Sequence, residues 1–281
     1  MAITGIISGI KRMEIHDGDG LRTTVFFKGC PLRCIWCHNP ESIGFGEQTA
    51  RFASKCIDCG MCGGERTRAA SARCPTEALV TFGTEYTPSA LADLLERDKP
   101  FFDRSGGGVT LSGGECLAQP EFAVALAREL NARGIGVDVD TCGYVRREVL
   151  EAIMPYTDVF LYDLKAIDPD VHKRCTGHEN GRILENLKLL SEQGCAIEVR
   201  YPLVVGYNDG ECSAIGEFLK DVKGIRRIKV LQYHAFAASR YEALGMECTL
   251  PDTVTEAEDV QRAVDLLRGM GLPAVNGIKE G

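Results

Sequence analysis

Apolar and polar positions along residues 87–281 alternate between a helical and a strand period. The helical stretches repeat apolar residues every three or four positions, whereas the strands are short apolar runs bounded by turn residues. This pattern predicts helices at 88–98, 120–133, 146–154, 181–193, 210–223 and 255–270. It predicts strands at 108–112, 135–140, 158–163, 196–202, 227–233 and, briefly, 272–275.

The first 28 residues follow a different pattern. Residues 3–28 predict a hairpin-like entry with a turn at His16-Asp17-Gly18-Asp19-Gly20, followed by a β-rich run from Arg22 to Lys28. This run is the first strand of the predicted sheet and ends at a cysteine-containing loop.

The succession of strands and helices predicts an α/β fold with a parallel sheet and right-handed crossovers. Polar residues fall where successive strands end or, for Arg200, within the strand: Cys30, Glu115, Asp140, Asp163, Lys165, Arg200 and His234. In α/β barrels these strand ends form one face, which carries the chemistry. We therefore predict a partial (β/α)6 barrel. A doubly wound open sheet is the alternative, although the chain lacks the glycine fingerprint of a dinucleotide-binding sheet.

Composition limits the classes of function. The chain has 281 residues, of which 44% are hydrophobic, so it can form a large core. Its net charge of −8 argues against a nucleic-acid partner. No apolar run reaches membrane-spanning length, and the N-terminus lacks the charge order of a signal peptide. The 13 cysteines are clustered, which is typical of metal binding in a reducing, anaerobic cytoplasm.

The segment from Gly29 to Pro40 contains Cys30, Cys34 and Cys37 in a C-x3-C-x2-C arrangement. Thiolates are soft ligands for iron, and a [4Fe–4S] cube has four irons to ligate. Three cysteines leave one iron open to a substrate. The alternatives are three structural cysteines in a core, or a three-cysteine zinc site.

A second cysteine group lies in residues 46–86. Cys56, Cys59 and Cys62 are followed after 11 residues by Cys74 and a proline, an arrangement similar to that of ferredoxins. We predict a ferredoxin-like insert at 46–86 with one auxiliary [4Fe–4S] cluster, within a barrel formed by 1–45 and 87–281. A four-cysteine zinc knuckle is the alternative. The other six cysteines have no ligand spacing and are interpreted as small apolar residues.

The C-x3-C-x2-C motif with Trp36 before its last cysteine resembles that of the radical S-adenosylmethionine (radical SAM) superfamily. The continuation Cys37-His38-Asn39-Pro40-Glu41 resembles the glycyl-radical-enzyme activating enzymes, as does the His-Asp-Gly-x-Gly-x-Arg run that contains Asp17 and Arg22. Both of those residues are therefore candidates near the active site. The family fold is the same partial barrel.

The resemblance also implies a set of site residues. Lys165 and the three cysteines of the motif are assigned to catalysis. Asp140, Thr141, the backbone carbonyl of Leu161 and Asp163 are the implied ligands of a monovalent cation; without the resemblance, Asp140 could be a helix cap or turn residue. The implied contacts of SAM are Trp36, Cys37, His38, Gly113, Gly114, Glu115, Asp163, Leu164, Lys165, Arg200 and His234.

The resemblance implies an oxidoreductase that activates a partner enzyme. A reduced cluster gives one electron to SAM, and the resulting 5′-deoxyadenosyl radical removes hydrogen from a glycine Cα of a glycyl radical enzyme. A reduced flavodoxin or ferredoxin is the expected electron donor, and we expect a monomer. The alternatives are a radical SAM enzyme acting on a small molecule or peptide, and a non-catalytic iron–sulfur electron carrier.

Overall fold

A computed structural model describes residues 3–277. Its strands are β1 (Gly5–Glu14), β2 (Arg22–Phe27), β3 (Gln48–Arg51), β4 (Leu79–Phe82), β5 (Thr84–Tyr86), β6 (Gly108–Gly113), β7 (Gly136–Thr141), β8 (Val159–Asp163), β9 (Ile197–Leu203), β10 (Ile225–Gln232) and β11 (Ala274–Asn276). Its helices are α1 (Arg68–Ala72), α2 (Pro88–Leu95), α3 (Lys99–Ser105), α4 (Pro120–Ala132), α5 (Arg147–Ile153), α6 (Pro169–Thr176), α7 (Gly181–Glu192), α8 (Cys212–Leu219), α9 (Ala238–Leu244) and α10 (Ala257–Gly269).

Nine strands form one sheet in the order β5-β1-β2-β6-β7-β8-β9-β10-β11. From β2 to β11 every neighbouring pair is parallel, while β1 is antiparallel to both β2 and β5. Each new parallel strand is added on the same side of the previous one. A doubly wound sheet instead reverses direction at a switch point. The partial barrel is therefore confirmed, and the alternative is wrong.

The strands alternate between an apolar and a polar face. Val109, Val139 and Val199 are fully buried, and belong to the same core as Leu126 of α4 and Leu187 of α7. The opposite face carries buried polar side chains: Arg22, Thr24, Thr110, Ser112, Asp138, Glu198, Arg200 and Lys229. Burying charge is costly unless it is paired. This polar face is the interior of the partial barrel, where the candidate site lies.

Three helices of the barrel were not predicted from sequence: α3, α6 and α9. Each has at most eight residues, and tertiary contacts stabilise such short helices more than propensity does. The C-terminal residues of α6 accept hydrogen bonds from the cysteine-containing loop, Thr176 O from Arg33 N and Cys175 O from Ile35 N. An unpredicted helix therefore helps to position the predicted motif.

The segment predicted as an insert contains its own two-stranded sheet, in which β3 and β4 pair antiparallel. Helix α9 packs against β3. At the end of the predicted range, β5 belongs to the large sheet, where it pairs with β1. The division into barrel and insert remains a prediction.

Within residues 3–277, no helix is both long and apolar enough to cross a lipid bilayer.

Candidate active site

Residues 29–37, here called the cysteine loop, are held by backbone hydrogen bonds on two sides. Gly29 N donates to Ser42 O at 2.8 Å and Cys30 N to Ile43 O at 3.1 Å. On the other side Arg33 N donates to Thr176 O at 2.8 Å. The loop therefore has a defined path without a regular element, because two segments later in the chain, at residues 42–43 and at the end of α6, accept from its backbone donors.

Cys30, Cys34 and Cys37 line a cavity of about 820 Å³ and are free thiols. Burial, followed by the neighbouring Cys34, raises the pKa of Cys37 to about 12, and burial raises the pKa of Cys30 and Cys34 as well. The thiols are therefore neutral until a metal supplies compensating charge.

The donor set fits a four-iron cluster. In the described part of the chain, no three His, Cys, Asp or Glu side chains converge on a single metal position. A cube binds each thiolate through a different iron, so its ligands need not converge, whereas a zinc ion requires all of them within about 2.3 Å of one atom.

Gly113 and Gly114 end β6 against the cysteine loop. A Cβ at Gly113, where φ is +116°, would lie 2.2 Å from Phe27 N. A Cβ at Gly114 would lie 2.4 Å from Ser42 O and 2.6 Å from Gly29 O. Both glycines line the cavity, as expected for residues that contact SAM. They are also needed for packing, because only glycine lets the end of β6 approach the backbone of the cysteine loop so closely.

Charged side chains from four strands or strand ends meet inside the barrel. Arg200 of β9 lies 3.4 Å from both Asp17 and Asp140. Ser112 Oγ donates to Asp140 Oδ2 at 2.6 Å. Lys165 Nζ donates to Asp163 Oδ2 at 2.6 Å. Three carboxylates and two cations thus share one end of the cavity.

Burial affects the titration of these groups. It raises the pKa of Asp140 above the usual aspartate range, although Arg200 opposes this shift. Burial alone would lower the pKa of Lys165, but the groups around it, foremost Asp163, together outweigh burial and the pKa is raised. Lys165 therefore remains a cation beside the three thiols.

Aromatic side chains form the other end of the cavity. The rings of His38 and His234 are stacked with centroids 4.3 Å apart, and His38 Nε2 donates to His234 O at 2.9 Å. Phe236 stacks on His234 at 4.2 Å and is 82% exposed. Trp36 is buried beside Tyr233 and also lines the cavity. This end offers flat apolar surface suited to an adenine ring.

Most of the expected site residues come together in this cavity. Those that line it are Cys30, Cys34, Trp36, Cys37, His38, Gly113, Gly114, Asp140, Thr141, Asp163, Lys165, Arg200 and His234. Glu115, Leu161 and Leu164 do not line it, and all three are fully buried. Leu161 lies opposite Asp140 in the register of β7 and β8.

The turn between β1 and β2, residues 15–21, contains Asp17 and covers one end of the barrel interior; Arg22 is the first residue of β2 after it. Asp17 lines the cavity, but Arg22 lies beneath it, 3.2 Å from Asp138. His16 O accepts from Arg200 Nη2 at 2.9 Å. Farther along the turn, Asp19 accepts from Arg227 of β10 at 2.6 Å. The turn is thereby tied to strands across the barrel.

Cys56, Cys59, Cys62 and Cys74 line a separate pocket of about 170 Å³. Helix α1 occupies part of the 11-residue spacer between Cys62 and Cys74. After this helix the chain turns back, so that Cys74 lies in the same pocket as the other three cysteines. Backbone hydrogen bonds, foremost at Leu79, lower the pKa of Cys74. All four thiols are free. This arrangement fits a fully ligated cluster and leaves the predicted role of Cys74 open to test.

Sequence reasoning missed several residues of the cavity, among them Ser112, Pro202, Val204, Gln232 and Phe236. The alternating sequences Val-Asp-Val-Asp in β7 and Ile-Glu-Val-Arg in β9 were a usable signal for a polar interior. The alternation Val-Thr-Leu-Ser in β6 likewise indicates that Ser112 faces inward. Phe236 stands in a loop without a periodic pattern, so no such signal marks it.

Comparison with known proteins adds independent observations. The family model described as the radical SAM superfamily matches residues 24–219. The chain is 38% identical to the choline trimethylamine-lyase activating enzyme of Oleidesulfovibrio alaskensis, over 95% of this chain and 96% of that protein. It is 37% identical to the trans-4-hydroxy-L-proline dehydratase activating enzyme of Clostridioides difficile, covering 92% and 91%.

One solved structure extends the comparison to the fold. A domain of the pyruvate-formate lyase-activating enzyme from Bacteroides vulgatus superposes with a TM-score of 0.52 and 29% identity, covering 61% of this chain and 99% of that domain.

Proposed function

Because the chain belongs to the radical SAM superfamily, and within it to the glycyl-radical-enzyme activating enzymes, we propose that its cavity holds SAM against a [4Fe–4S] cluster bound by Cys30, Cys34 and Cys37. The chain is an oxidoreductase that activates a partner glycyl radical enzyme. When bound, the cluster supplies one electron that cleaves SAM to methionine and a 5′-deoxyadenosyl radical, which takes hydrogen from a glycine Cα. The observation that carries the proposal is the three free thiols on one wall of the cavity.

The side chains at the two ends of the cavity orient SAM. Lys165 and Arg200 are cations available to the SAM carboxylate, and the backbone at Gly113 and Gly114 lies open beside the thiols. The stacked rings of His38 and His234, with Trp36, hold the adenine. The buried side chains of Glu115, Leu161 and Leu164 support the lining residues from behind. Holding the sulfonium in one orientation and excluding water are the protein's contribution to the reaction.

A count of charges supports the monovalent cation at Asp140, Thr141, Asp163 and the Leu161 carbonyl. The cavity holds three carboxylates against Lys165 and Arg200, a net charge of about −1, and a [4Fe–4S] cube in its 2+ state with three thiolates adds about one more negative charge. SAM, with its sulfonium, ammonium and carboxylate, offsets about one of these. The remaining charge is what a sodium or potassium ion would neutralise.

We also propose that Cys56, Cys59, Cys62 and Cys74 bind one auxiliary [4Fe–4S] cluster. The shared pocket and the lowered pKa of Cys74 support this assignment. Four thiolates leave no open iron, so this cluster would transfer electrons or stabilise the insert. Anaerobic reconstitution should give about eight irons per chain, and the Cys30/Cys34/Cys37→Ala variant about four. Twelve irons, or bound zinc, would contradict a single auxiliary cluster.

The partner is a glycyl radical enzyme, and we propose that it is a lyase or dehydratase, as the names of the similar activating enzymes suggest. A reduced flavodoxin or ferredoxin is the proposed donor, and the chain is proposed to act as a monomer.

The function is tested by measuring two products, 5′-deoxyadenosine from SAM cleavage and the glycyl radical formed on the partner enzyme. Cys34→Ala should abolish reductive SAM cleavage, whereas Cys59→Ala should retain cleavage with dithionite, because a small reductant reaches the catalytic cluster directly. The glycyl-radical EPR signal is then measured with choline trimethylamine-lyase and trans-4-hydroxy-L-proline dehydratase as candidate partners. Full activity of Cys34→Ala, or SAM perturbing only the EPR signal of the insert cluster, would show that the two clusters are assigned the wrong way round.

A further inference from the structure

A second cavity, of about 340 Å³, lies outside the barrel interior and shares no lining residue with the first. It is lined by Tyr144, Lys173, Gly177, His178, Glu179, Gly181 and Arg182. Arg33 adjoins it, because a Cβ on Gly177 would lie 3.7 Å from Arg33 Cβ. We call the seven lining residues and Arg33 the cationic cleft.

The cationic cleft touches the back of the cysteine loop. His178 Nε2 lies 3.2 Å from Pro31 O, and Arg33 Nη1 donates to Cys30 O at 2.6 Å and to Leu32 O at 2.8 Å. Residues of the loop alternate between the two sides: Cys30, Leu32 and Cys34 line the inner cavity, while Pro31 and Arg33 face the cleft. The side chain of Arg33 therefore links the cleft to the carbonyl group of the ligand Cys30.

The cleft is positively charged on a protein that is negative overall. Arg33, Lys173 and Arg182 are exposed cations, and the chain carries a net charge of −8. Lys173 pairs with the exposed Glu179 at 3.1 Å, whereas among residues 3–277 neither Arg33 nor Arg182 forms an ion pair. A local excess of cations on an acidic protein attracts an acidic partner and orients its approach.

The floor of the cleft is flat and aromatic. The rings of Tyr144 and His178 lie 4.7 Å apart, and the Arg182 guanidinium lies 4.9 Å above the Tyr144 ring. Such stacking holds Arg182 in place and leaves a preformed surface rather than a disordered one.

We propose that the cationic cleft is the docking surface for an acidic one-electron carrier protein, which reduces the cluster through the back of the cysteine loop. This inference rests on the proposed SAM-cleaving site, which needs an external electron for every cleavage. The carrier loses one electron and the cluster gains it, with no bond formed or broken. The arrangement leaves the inner cavity free, so the donor and the partner enzyme need not compete for one surface.

The test compares two reductants in variants with reversed charges. The reconstituted holoenzyme with Lys173→Glu and Arg182→Glu is reduced either by flavodoxin hydroquinone or by photoreduced deazaflavin, and 5′-deoxyadenosine is measured. We expect the KM for flavodoxin to rise about tenfold at low salt and to return towards the wild-type value near 0.5 M salt, because exposed charges are screened. With deazaflavin the rate should stay within about twofold of wild type, since a small neutral reductant needs no charged docking surface.

Two control variants carry the same change of charge elsewhere. Arg128→Glu with Lys220→Glu alters exposed residues outside the cleft and should leave the flavodoxin KM unchanged. Lys55→Glu with Arg66→Glu tests the insert as the alternative entry point. If the insert variant shows the tenfold effect and the cleft variant does not, the proposal is overturned.

Two further outcomes separate the competing explanations. If the cleft variant receives electrons normally but gives less glycyl radical with a partner, the surface binds the partner enzyme instead and the proposal is overturned. If the wild-type protein makes no 5′-deoxyadenosine with either reductant, the proposed SAM-cleaving site itself fails, which is a distinct result.

Discussion

Thr141 Oγ1 donates to the carboxylate of Glu115, at 2.9 Å from one oxygen and 3.0 Å from the other. The same carboxylate accepts from Cys142 N at 2.8 Å and Leu117 N at 3.1 Å. Glu115 therefore joins the end of β6 to the end of β7, directly behind Asp140. It acts on the cavity by positioning residues that line it.

Replacing this carboxylate should reduce stability and weaken SAM binding together. In Glu115→Gln the amide nitrogen cannot accept a hydrogen bond, so at least one buried donor loses its acceptor, at a cost of about 1–3 kcal/mol. Chemical denaturation and SAM titration of the reconstituted protein measure the two effects. Glu121→Gln, the same change on the exposed start of α4, should stay within about 0.5 kcal/mol of wild type. Equal stability of the two variants would contradict the positioning role.

Asp140→Asn tests the charge at the inner end of the cavity. The change removes one of the two aspartates that lie 3.4 Å from Arg200 and one of the proposed ligands of the cation, so it should weaken SAM binding by about 2–4 kcal/mol. Asp103→Asn, on exposed α3, is the matched control. The wild-type affinity for SAM should also rise with potassium or sodium. An affinity independent of both ions would disprove the cation site while leaving the electrostatic role of Asp140 intact.

Local sequence predicted the order of the parallel strands, and most of the site residues implied by the family resemblance line the cavity. Each parallel strand carries its own apolar run and turn signals, and the chemistry-bearing residues sit where those runs end. The face on which a residue lies was harder to predict. Ser112 points into the cavity and Glu115 away from it, although both flank the same pair of glycines, because the approach of β6 to Phe27 and Gly29 sets the backbone there.

Features that depend on distant contacts could not be predicted in this way. Helix α6 is short and polar, and its role appears only where Thr176 O accepts from Arg33 N. Likewise, the pairing of Arg227 with Glu198 and Asp19 joins residues far apart in sequence. No local pattern identifies such partners, because charged residues such as these could equally well lie exposed on the surface.

His172 should make the protein sensitive to mild acid. Its side chain is buried, Nδ1 donates to His178 O at 2.6 Å, and Nε2 has no hydrogen-bond partner among the described residues. Burial lowers the pKa of His172 below its usual 6.5. Between that lowered value and 6.5 the unfolded chain binds a proton at this residue that the native protein does not, so the contribution of His172 to stability falls as the pH drops below 6.5.

The free energy of unfolding, measured at pH 7.5, 6.5 and 5.5, tests this prediction. His172→Gln keeps a donor but does not titrate, so its stability should depend less on pH than that of wild type below 6.5. His16→Gln, at an exposed position, should show the wild-type dependence. Parallel curves for wild type and His172→Gln would exclude His172 as the source of the acid sensitivity.

Phe236 should matter for the partner enzyme more than for SAM. It is the outermost ring of the stack that begins at His38, and 82% of it is exposed at the mouth of the cavity. A large exposed aromatic at such a mouth is suited to contact the glycine-bearing segment of the partner. Phe236→Ala should raise the KM for the partner about fivefold to thirtyfold, the equivalent of about 1–2 kcal/mol of lost contact.

SAM affinity and SAM cleavage without the partner should change less than twofold in Phe236→Ala, because His234 still covers the inner rings. Phe101→Ala, another exposed phenylalanine that does not line the cavity, is the control and should leave both values at wild type. The measurements are glycyl-radical EPR at varied partner concentration and SAM titration in its absence. If Phe236→Ala weakened SAM binding as much as partner activation, Phe236 would belong with the adenine-binding rings instead. A residue that contacts only the partner should change the KM for the partner and leave the affinity for SAM unchanged.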